Sequence, residues 1–583
     1  MEQIEKSNDR EKSFAIFIIL VAIGFLGANL LFKPELMGGH DVIFHIERLQ
    51  NLSNALKNGQ LRLYVTPDQY NNFGYGISMF YCDAMLYPFA VLVCLGVPLF
   101  KSYKLLLRFI FFAVAFTSYC MGYEISSDRV ISVLFSLSVV CSQYFMTDVY
   151  IRGAVGECFG FVFIPLVIAG IYNLFYGDKN KLWMLVVGFS GLAMSHVLSF
   201  VLACFVFAAY LLMFFIRAVA HKKRTENTVD KVFTKTVVAA IISFLLSRWF
   251  LLPMAEQLAT TKFLRGVMAK YDDLMLSTVK VRHLFSPSVD ISDFSPALGV
   301  IVLIYMILRI IYICKFKSDF IDNPNQKLFF RDSLLVSLIC IFMSTSLFPW
   351  NLFAPYINII QFPWRLHIFS TILLCFTGSV AFVKIGRALL KNKYVISLTA
   401  VSVFIIGIFL LQCNYVYNYN MTNEGRLVYE DFEPGTDQNY LQANTKQEYF
   451  LNREKYSGKI YTVVNDLQGS CELSDYGVHT VSFYDNNGRG NILEMPINYY
   501  YGYKVTDEAG NVLDNFPSVD RGWLSVDITG YDSQNLTVVY EGTMLQKVSL
   551  LTSVITALAL AIFWIVKSVV NKPCQVPLYN KHN

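Results

Sequence analysis

Charged residues are scarce in this sequence. Asp, Glu, Lys and Arg make up 16% of its 583 residues, whereas hydrophobic residues make up 55% and the mean hydropathy is +0.45. Soluble domains carry about 25% charged residues, so the composition excludes an ordinary soluble domain and indicates a membrane protein. The small net charge of +5 gives no electrostatic basis for a nucleic acid partner.

Several familiar motifs are also missing. The twelve cysteines include no C-x-x-C pair, and the segment predicted below to be an outer domain has one interior cysteine, Cys471, so neither a disulfide framework nor a zinc site is expected. No glycine-rich nucleotide loop or Walker sequence occurs, which argues against a soluble nucleotide-sugar donor and against ATP-driven transport. No small-residue cleavage site follows the first apolar run, residues 14–32, so this run is expected to be a retained helix.

Long apolar runs dominate the remainder of the chain. A membrane-crossing helix needs about 20 apolar residues, and twelve runs reach or approach this length. The predicted spans are residues 14–32, 105–123, 130–147, 158–176, 182–195, 197–216, 236–253, 297–314, 333–348, 367–384, 395–412 and 547–566. Residues 1–413 are therefore predicted to form a polytopic α-helical membrane domain, with a first outer loop at residues 33–104.

Lysine and arginine cluster on one side of the predicted spans. The clusters are Lys6, Arg10 and Lys12, then Arg217, Lys222, Lys223 and Arg224, then Lys384, Arg387, Lys391 and Lys393, and finally Lys567 and Lys572. By the positive-inside rule this side is the cytoplasm, and both termini are expected there. A crossing at residues 85–100 would export the cluster at 221–224, so that segment is predicted to lie in, or re-enter, the outer surface.

The composition changes at residues 414–546, where Asn, Asp, Gly, Tyr and Thr replace the apolar runs. Alternating segments at 459–464 and 524–528 predict strands, and turns are predicted at 485–488 and at Ala509-Gly510. We expect an extracellular β-sandwich-like domain held by membrane helices at both ends. Residues 547–583 would form the last helix and a cytoplasmic tail.

An acid, a histidine and an arginine share one predicted helix of the first loop. Asp41 stands at the head of an amphipathic run, and His45 and Arg48 project from the same face one and two turns later. Asp41 is a candidate general base for an attacking hydroxyl group, with His45 and Arg48 as candidate substrate contacts. The alternative is that Asp41 only caps the helix.

Five more polar residues stand at the predicted outer ends of spans. Arg152 is a candidate phosphate ligand, and Glu157 is a candidate second carboxylate, metal ligand or acceptor contact, although a structural salt bridge explains the pair equally well. His196 is a candidate phosphate ligand or proton relay, with core packing as the alternative. Glu256 flanks the seventh span and is a candidate substrate contact, and Arg365 is a candidate ligand of a lipid phosphate. The long loop at 256–295 adds basic residues that are candidate phosphate contacts or simply solvated charges, namely Lys262, Arg265, Lys270 and His283.

Taken in order, these motifs resemble a known superfamily. The first loop resembles that of the GT-C glycosyltransferases through Gly39-His40-Asp41, Phe44-His45, Arg48, Tyr75-Gly76, Tyr81 and Tyr87-Pro88. The motifs at 150–157, 195–196, 252–256, 361–365 and 499–503 resemble one bacterial branch more specifically. This branch consists of membrane proteins labelled "6-pyruvoyl-tetrahydropterin synthase-related", which are akin to YfhO-type glycosyltransferases. A polytopic membrane chain does not match a small soluble pterin enzyme, so the label implies no pterin chemistry.

The resemblance implies a GT-C fold, an outward-facing site and a polyprenyl-phosphate-linked sugar donor. It also implies that Asp41 is the catalytic base and that Arg152, Glu157 and Arg365 contact substrate or phosphate. The sequence departs from the superfamily in lacking a second acid beside Asp41, where Val42 and Ile43 follow. A divalent metal is therefore not supported, and no cofactor is expected.

The sequence thus predicts a membrane glycosyltransferase that moves a sugar to a glycan, cell-wall polymer or lipid acceptor on the outer face of the cell membrane. Two other classes stay open. A lipid-linked saccharide flippase would need polar residues along a path through mid-membrane, whereas here they collect at one face. A non-catalytic scaffold for envelope assembly would need no base at all.

Overall fold

The computed structural model describes residues 2–220, 226–264, 271–286, 296–316, 323–389, 393–422, 426–427, 438–446, 448, 453–462, 468–484, 492–529 and 534–570. Eight helices within these ranges are long and apolar enough to cross a membrane: Leu99–Ser126, Arg129–Arg152, Val155–Phe175, Val197–Ala220, Thr228–Thr260, Pro363–Leu389, Tyr394–Met421 and Met544–Lys567. The predicted multi-pass helical body is confirmed. The count of twelve spans and their orientation stay predictions.

Helices of five or more residues occur at all twelve predicted spans and at several positions between them. In chain order they are α1 (Glu2–Gly27), α2 (Val42–Lys57), α3 (Tyr87–Cys94), α4 (Leu99–Ser126), α5 (Arg129–Val140), α6 (Gln143–Thr147), α7 (Val155–Phe175), α8 (Trp183–Ala193), α9 (Val197–Ala220), α10 (Glu226–Thr260), α11 (Tyr271–Leu276), α12 (Gly299–Phe316), α13 (Pro324–Ser344), α14 (Trp350–Ile357), α15 (His367–Leu389), α16 (Tyr394–Thr422) and α17 (Met544–Val570). A π turn, Asp148–Arg152, continues α6, and a short 3₁₀ helix, Pro363–Leu366, leads into α15.

Two apolar segments are shorter than a bilayer. Helix α8 has 11 residues and rises about 16 Å, whereas the hydrocarbon core is about 30 Å thick. Helix α3 has 8 residues and rises about 12 Å, so it is too short to cross the bilayer. This length is compatible with the prediction that residues 85–100 lie in, or re-enter, the outer surface. Helix α8 ends at Ala193, three residues before His196.

The C-terminal β region forms two antiparallel sheets. One has the order β3-β6-β10-β9 (Tyr461–Thr462, Ile492–Asn498, Trp523–Asp527 and Asn515–Pro517), and the other β4-β5-β11-β7-β8 (Gln468–Asp475, Val478–Tyr484, Asn535–Tyr540, Tyr503–Asp507 and Val512–Leu513). The predicted C-terminal β region is confirmed, whereas its bounds as a domain and its outer location stay predictions; a turn forms at 509–510 as expected. Helix α16 extends to Thr422, so the compositional change at 414 precedes the end of the helix. The turn predicted at 485–488 and the tail beyond 570 lie outside the described residues.

The helical body and the β domain have separate hydrophobic cores, and the first loop contributes to both. Residues of α2 pack with the helices, whereas Phe73 and Met79 pack with Val481 and Trp523 of the sheets. Asn498 fixes this junction, because its backbone N–H donates to Phe73 O at 2.7 Å and its side-chain amide donates to Gly74 O at 2.7 Å. A two-residue pairing of Leu36–Met37 (β1) with Arg426–Leu427 (β2) makes a second junction. The β domain therefore holds the loop that carries Asp41.

Candidate functional site

The first loop and the π turn meet at backbone distance. The N–H of Asp41 donates to the carbonyl oxygen of Arg152 at 2.7 Å. Gly153 has φ +65°, and a Cβ there would lie 2.3 Å from Cγ2 of Val42. A Cβ on Gly39 would lie 2.8 Å from a backbone oxygen of the turn. The close packing of the first loop on the π turn needs both glycines, because a side chain at either position would clash. This packing places Asp41 beside Arg152.

Asp41 begins α2 as the capping alternative requires, but its side chain accepts no hydrogen bond from the backbone of that helix. The side chain is partly exposed. Burial raises the pKa of Asp41 above its ordinary value, and the guanidinium groups of Arg152 and Arg365 oppose this rise. A partly exposed carboxylate with a raised pKa is suited to accept a proton.

The π turn and the start of α7 carry a buried cluster of charges. One guanidinium nitrogen of Arg152, Nη1, lies 2.6 Å from Asp148 Oδ1 and 2.6 Å from Glu157 Oε2. Arg365, from the 3₁₀ helix before α15, places its Nε 3.4 Å from the same Glu157 oxygen. The Tyr144 hydroxyl donates to the other oxygen, Glu157 Oε1. The structure therefore brings the predicted residues Arg152, Glu157 and Arg365 together.

The net charge of this cluster is not positive. Arg152 and Arg365 face Asp148 and Glu157, and Asp41 lies close enough for both guanidinium groups to act on its pKa. In their ordinary ionised forms these five side chains carry one net negative charge. Such a site favours positive charge that develops on a bound group, because preorganised charges stabilise a transition state most strongly in a site that excludes water.

Tyr81 and His196 approach the first turn of α7. A Cβ on Gly156 would lie 2.0 Å from the Tyr81 hydroxyl and 3.0 Å from Cδ2 of His196. Burial raises the pKa of Tyr81 to about 12, so the phenol remains a donor at neutral pH. The hydroxyl has no hydrogen-bond partner among the residues that the structure describes. Tyr81, like Asp41, is partly exposed, so these two side chains are the accessible edge of the cluster.

The imidazole of His196 can supply a hydrogen-bond donor next to the cluster. Its Nδ1 lies 2.8 Å from the Ser199 hydroxyl oxygen and 3.3 Å from the Ser199 backbone nitrogen; with Nδ1 as the acceptor of that N–H, the neutral ring carries its proton on Nε2. Burial and the charge of Arg365 lower the pKa of His196 to about 3, so the ring is neutral at physiological pH. A neutral Nε2–H can donate to a substrate oxygen but cannot attract an anion as a cation would.

Sequence and structure comparisons give distant similarities. No known protein-family profile matches the chain. An uncharacterized protein of Lactococcus lactis subsp. cremoris strain MG1363 is 22% identical over 628 aligned positions, covering 98% of this chain and 99% of the relative. The archaeal oligosaccharyltransferase AglB of Archaeoglobus fulgidus, solved with an inhibitory peptide and a dolichol-phosphate, covers 71% of this chain at 12% identity with a TM-score of 0.36. Its apo structure covers 75% at 10% identity with a TM-score of 0.41.

This chain spans 56% and 59% of the length of those two oligosaccharyltransferase structures. At TM-scores below 0.5 the overlap carries no argument about this protein. The functional assignment therefore rests on the residues of this chain.

His45 and Arg48 are buried, and their contacts are with the protein. Arg48 Nη2 donates to Asp83 Oδ1 at 2.7 Å and to the carbonyl oxygen of Cys82 at 2.9 Å. Its guanidinium also stacks 4.1 Å from the ring of Tyr81, and its Nη1 lies 3.2 Å from His45 Nδ1. These contacts hold the segment 81–83 in place. They favour a positioning role for Arg48, and direct contact with substrate stays a prediction.

Glu256 is not brought to the cluster. It accepts a hydrogen bond from the Thr543 hydroxyl at 2.7 Å, and its charge acts on Tyr64 and Tyr540. Of the basic residues of the long loop, Lys262 is exposed, and His283 shares a hydrogen bond with Arg282. Arg265 and Lys270 lie outside the described residues. A substrate contact by any of these residues stays a prediction.

Three participants were missed by the sequence reasoning. Asp148 stands four residues before Arg152, a spacing that predicts an ion pair within one helix, and this signal was available. Tyr144 and Asp83 gave no comparable signal, because their partners are 13 and 35 residues away and depend on the fold. Within the described ranges no group of three or more His, Cys, Asp or Glu side chains is placed to hold a metal ion.

Proposed function

We propose that this protein is a membrane glycosyltransferase of the GT-C type. It transfers a sugar from a polyprenyl-phosphate-linked donor to a hydroxyl group of a glycan, cell-wall polymer or lipid acceptor. The observation that carries the proposal is Asp41, an uncapped and partly exposed carboxylate held by backbone contact beside the buried cluster of Arg152, Glu157 and Arg365.

In the proposed reaction Asp41 takes the proton of the acceptor hydroxyl. The acceptor oxygen forms a bond to the anomeric carbon as the bond between that carbon and the phosphate oxygen breaks, and the polyprenyl phosphate leaves with the electron pair. The sugar gains positive charge in the transition state, as glycosyl transfer generally requires. Asp41 contributes its negative charge to this stabilisation until the proton has transferred, while Tyr81 and the Nε2–H of His196 donate to substrate oxygens.

The orientation belongs to the same proposal. Both termini would be cytoplasmic, and the β domain would lie outside the cell, where it can position the acceptor. The junction of Asn498 with the first loop supports a coupling between acceptor binding and the site, because the loop that ends at Tyr81 is packed into the β-domain core.

The test is transfer of radiolabel from a short-chain prenyl-phosphate sugar to an acceptor fraction by the purified full-length protein. Asp41→Asn should lower the rate about 10²- to 10⁴-fold, the usual contribution of a general base. Asp68→Asn is the matched control, since Asp68 is an exposed aspartate of the same loop with no place in the cluster. Full activity of Asp41→Asn would remove Asp41 from the mechanism, and movement of the donor without transfer would favour a flippase.

A further inference from the structure

Arg62 forms no ion pair with a described carboxylate, although the charges of Glu256 and Asp83 act on its neighbours Tyr64 and Cys82. It lies after α2, and its guanidinium stacks 4.1 Å from the indole of Trp249 and 4.9 Å from the ring of Tyr64. Its Nε and Nη2 atoms are buried without a hydrogen-bond partner, and none of the described carboxylates lies within 4.0 Å. Arg62 is half-buried as a residue, and buried guanidinium N–H groups without an acceptor are costly, so this arrangement favours an anionic ligand from outside the described chain.

Arg48 and the arginines of the Asp41 cluster have carboxylate partners, whereas Arg248, next to Trp249 on α10, also has a buried Nε without a hydrogen-bond partner and no ion pair with a described carboxylate. Arg48 contacts Asp83, Arg152 contacts Asp148 and Glu157, and Arg365 contacts Glu157. Their charge is compensated before any ligand arrives. Arg62 is therefore better suited to bind an anion than the arginines of the Asp41 cluster.

Apolar surface that is exposed lies beside Arg62. Leu61 is 80% exposed, and its carbonyl accepts a hydrogen bond from the Tyr87 hydroxyl at the start of α3. The backbone N–H of Trp249 in α10 donates to the hydroxyl of Ser553 in α17. Helices α10 and α17 are both membrane-length, and most of their apolar surface is exposed. A ligand at Arg62 would thus have an apolar surface beside it.

We propose that Arg62, Tyr64 and Trp249 bind the phosphate ester of a membrane lipid between α3, α10 and α17. The guanidinium fork matches phosphate oxygens, and the exposed apolar faces of α10 and α17 accommodate the chains of the lipid. The source is either a bilayer phospholipid or an isoprenyl phosphate, since both present the same chemistry. This inference concerns binding alone and does not depend on sugar transfer.

Native mass spectrometry of the full-length protein tests the site with two probes, phosphatidylglycerol and a short-chain isoprenyl monophosphate. Arg62→Gln should lower the affinity for at least one probe about 10-fold, as expected for the loss of a charge-assisted hydrogen bond. Arg108→Gln is the matched control, because Arg108 also stacks on a ring, that of Phe32 at 4.2 Å, but donates to Leu31 O at 2.5 Å. Asp41→Asn should leave binding of both probes unchanged.

A loss for phosphatidylglycerol alone identifies a phospholipid, a loss for the isoprenyl phosphate alone identifies the carrier, and a loss for both identifies a shared phosphate site. Unchanged binding of both probes, or an equal loss in Arg108→Gln, would overturn the proposal. Should Arg62→Gln unfold, Arg62→Lys keeps the charge without the planar fork, and it should bind several-fold more weakly than the native protein.

Discussion

The contact between Tyr81 and the first turn of α7 can be tested by adding one methyl group. In Gly156→Ala the new Cβ would lie 2.0 Å from the Tyr81 hydroxyl, so the oxygen must retreat to the 3.4 Å of ordinary contact. Tyr81 is held by the guanidinium of Arg48 at 4.1 Å, which resists this movement. Overpacking of this kind costs about 1–3 kcal/mol, whereas alanine in place of glycine in a helix contributes about 0.5–1 kcal/mol of stability. We expect a net loss of stability and, because misplacement by about 1 Å can cost 10²-fold in rate, a similar loss of transfer.

The companion variant is Tyr81→Phe, which removes the clashing oxygen. In the double variant the nearest ring carbon would still lie 3.0 Å from the new Cβ, so most but not all of the stability should return. The thermal midpoints of the native protein, both single variants and the double variant in detergent form a double-mutant cycle, and contacting residues typically couple by about 0.5–3 kcal/mol. Gly407→Ala is the control, since a Cβ at that helical position meets nothing within 4 Å. Additive effects, with no rescue by Tyr81→Phe, would refute the placement of Tyr81 against α7.

Two further predictions concern the acid and the orientation. Burial raises the pKa of Asp41, so the native state binds this proton more tightly than the unfolded state does. The stability from this group is present below the ordinary pKa of about 3.9 and is lost as the pH rises through the raised pKa. Asp41→Asn should therefore raise the thermal midpoint at pH 7 and have less effect near pH 4, and an equal effect at both pH values would contradict this. For the orientation, the side chains of Asp520 in the β domain and Arg331 in α13 are each 69% exposed. Asp520→Cys should react with a membrane-impermeant maleimide in intact cells and Arg331→Cys only after permeabilisation, in both cases above the background of the native cysteines. The reverse labelling pattern would show that the orientation is opposite to the one proposed.

The helices were predictable because each is encoded by its own apolar run, whereas the site depends on pairings between distant parts of the chain. The spans at 130–147 and 158–176 are visible as hydrophobicity, and the break between them appears as polar residues. That the break is a π turn whose carbonyl accepts from Asp41, 111 residues earlier in the chain, is not a local property. Arg152, Glu157 and Arg365 could be singled out because charges at helix ends are costly unless paired or functional.

The same reasoning explains what was not predicted. Phe73 and Met79 carry no sign that they complete the core of a domain that begins more than 300 residues later. Arg48 and Asp83 are each ordinary polar residues of a loop, and only the folded chain shows that they form a buried ion pair. Arg62 was overlooked because an isolated arginine in a loop usually is a solvated charge, and its stacking on Trp249 depends on helix α10, which is distant in the sequence.

Transfer of a sugar from a lipid phosphate has opposite electrostatic requirements at its two ends. The anomeric carbon becomes more positive, and the departing phosphate becomes more negative. In this protein the carboxylate surplus lies at the Asp41 cluster and the uncompensated cation lies at Arg62. The segment 81–83 stands between them, because Tyr81 meets α7 and the charge of Arg62 opposes the burial-driven rise in the pKa of Cys82. One short segment held by Arg48 therefore borders both sites.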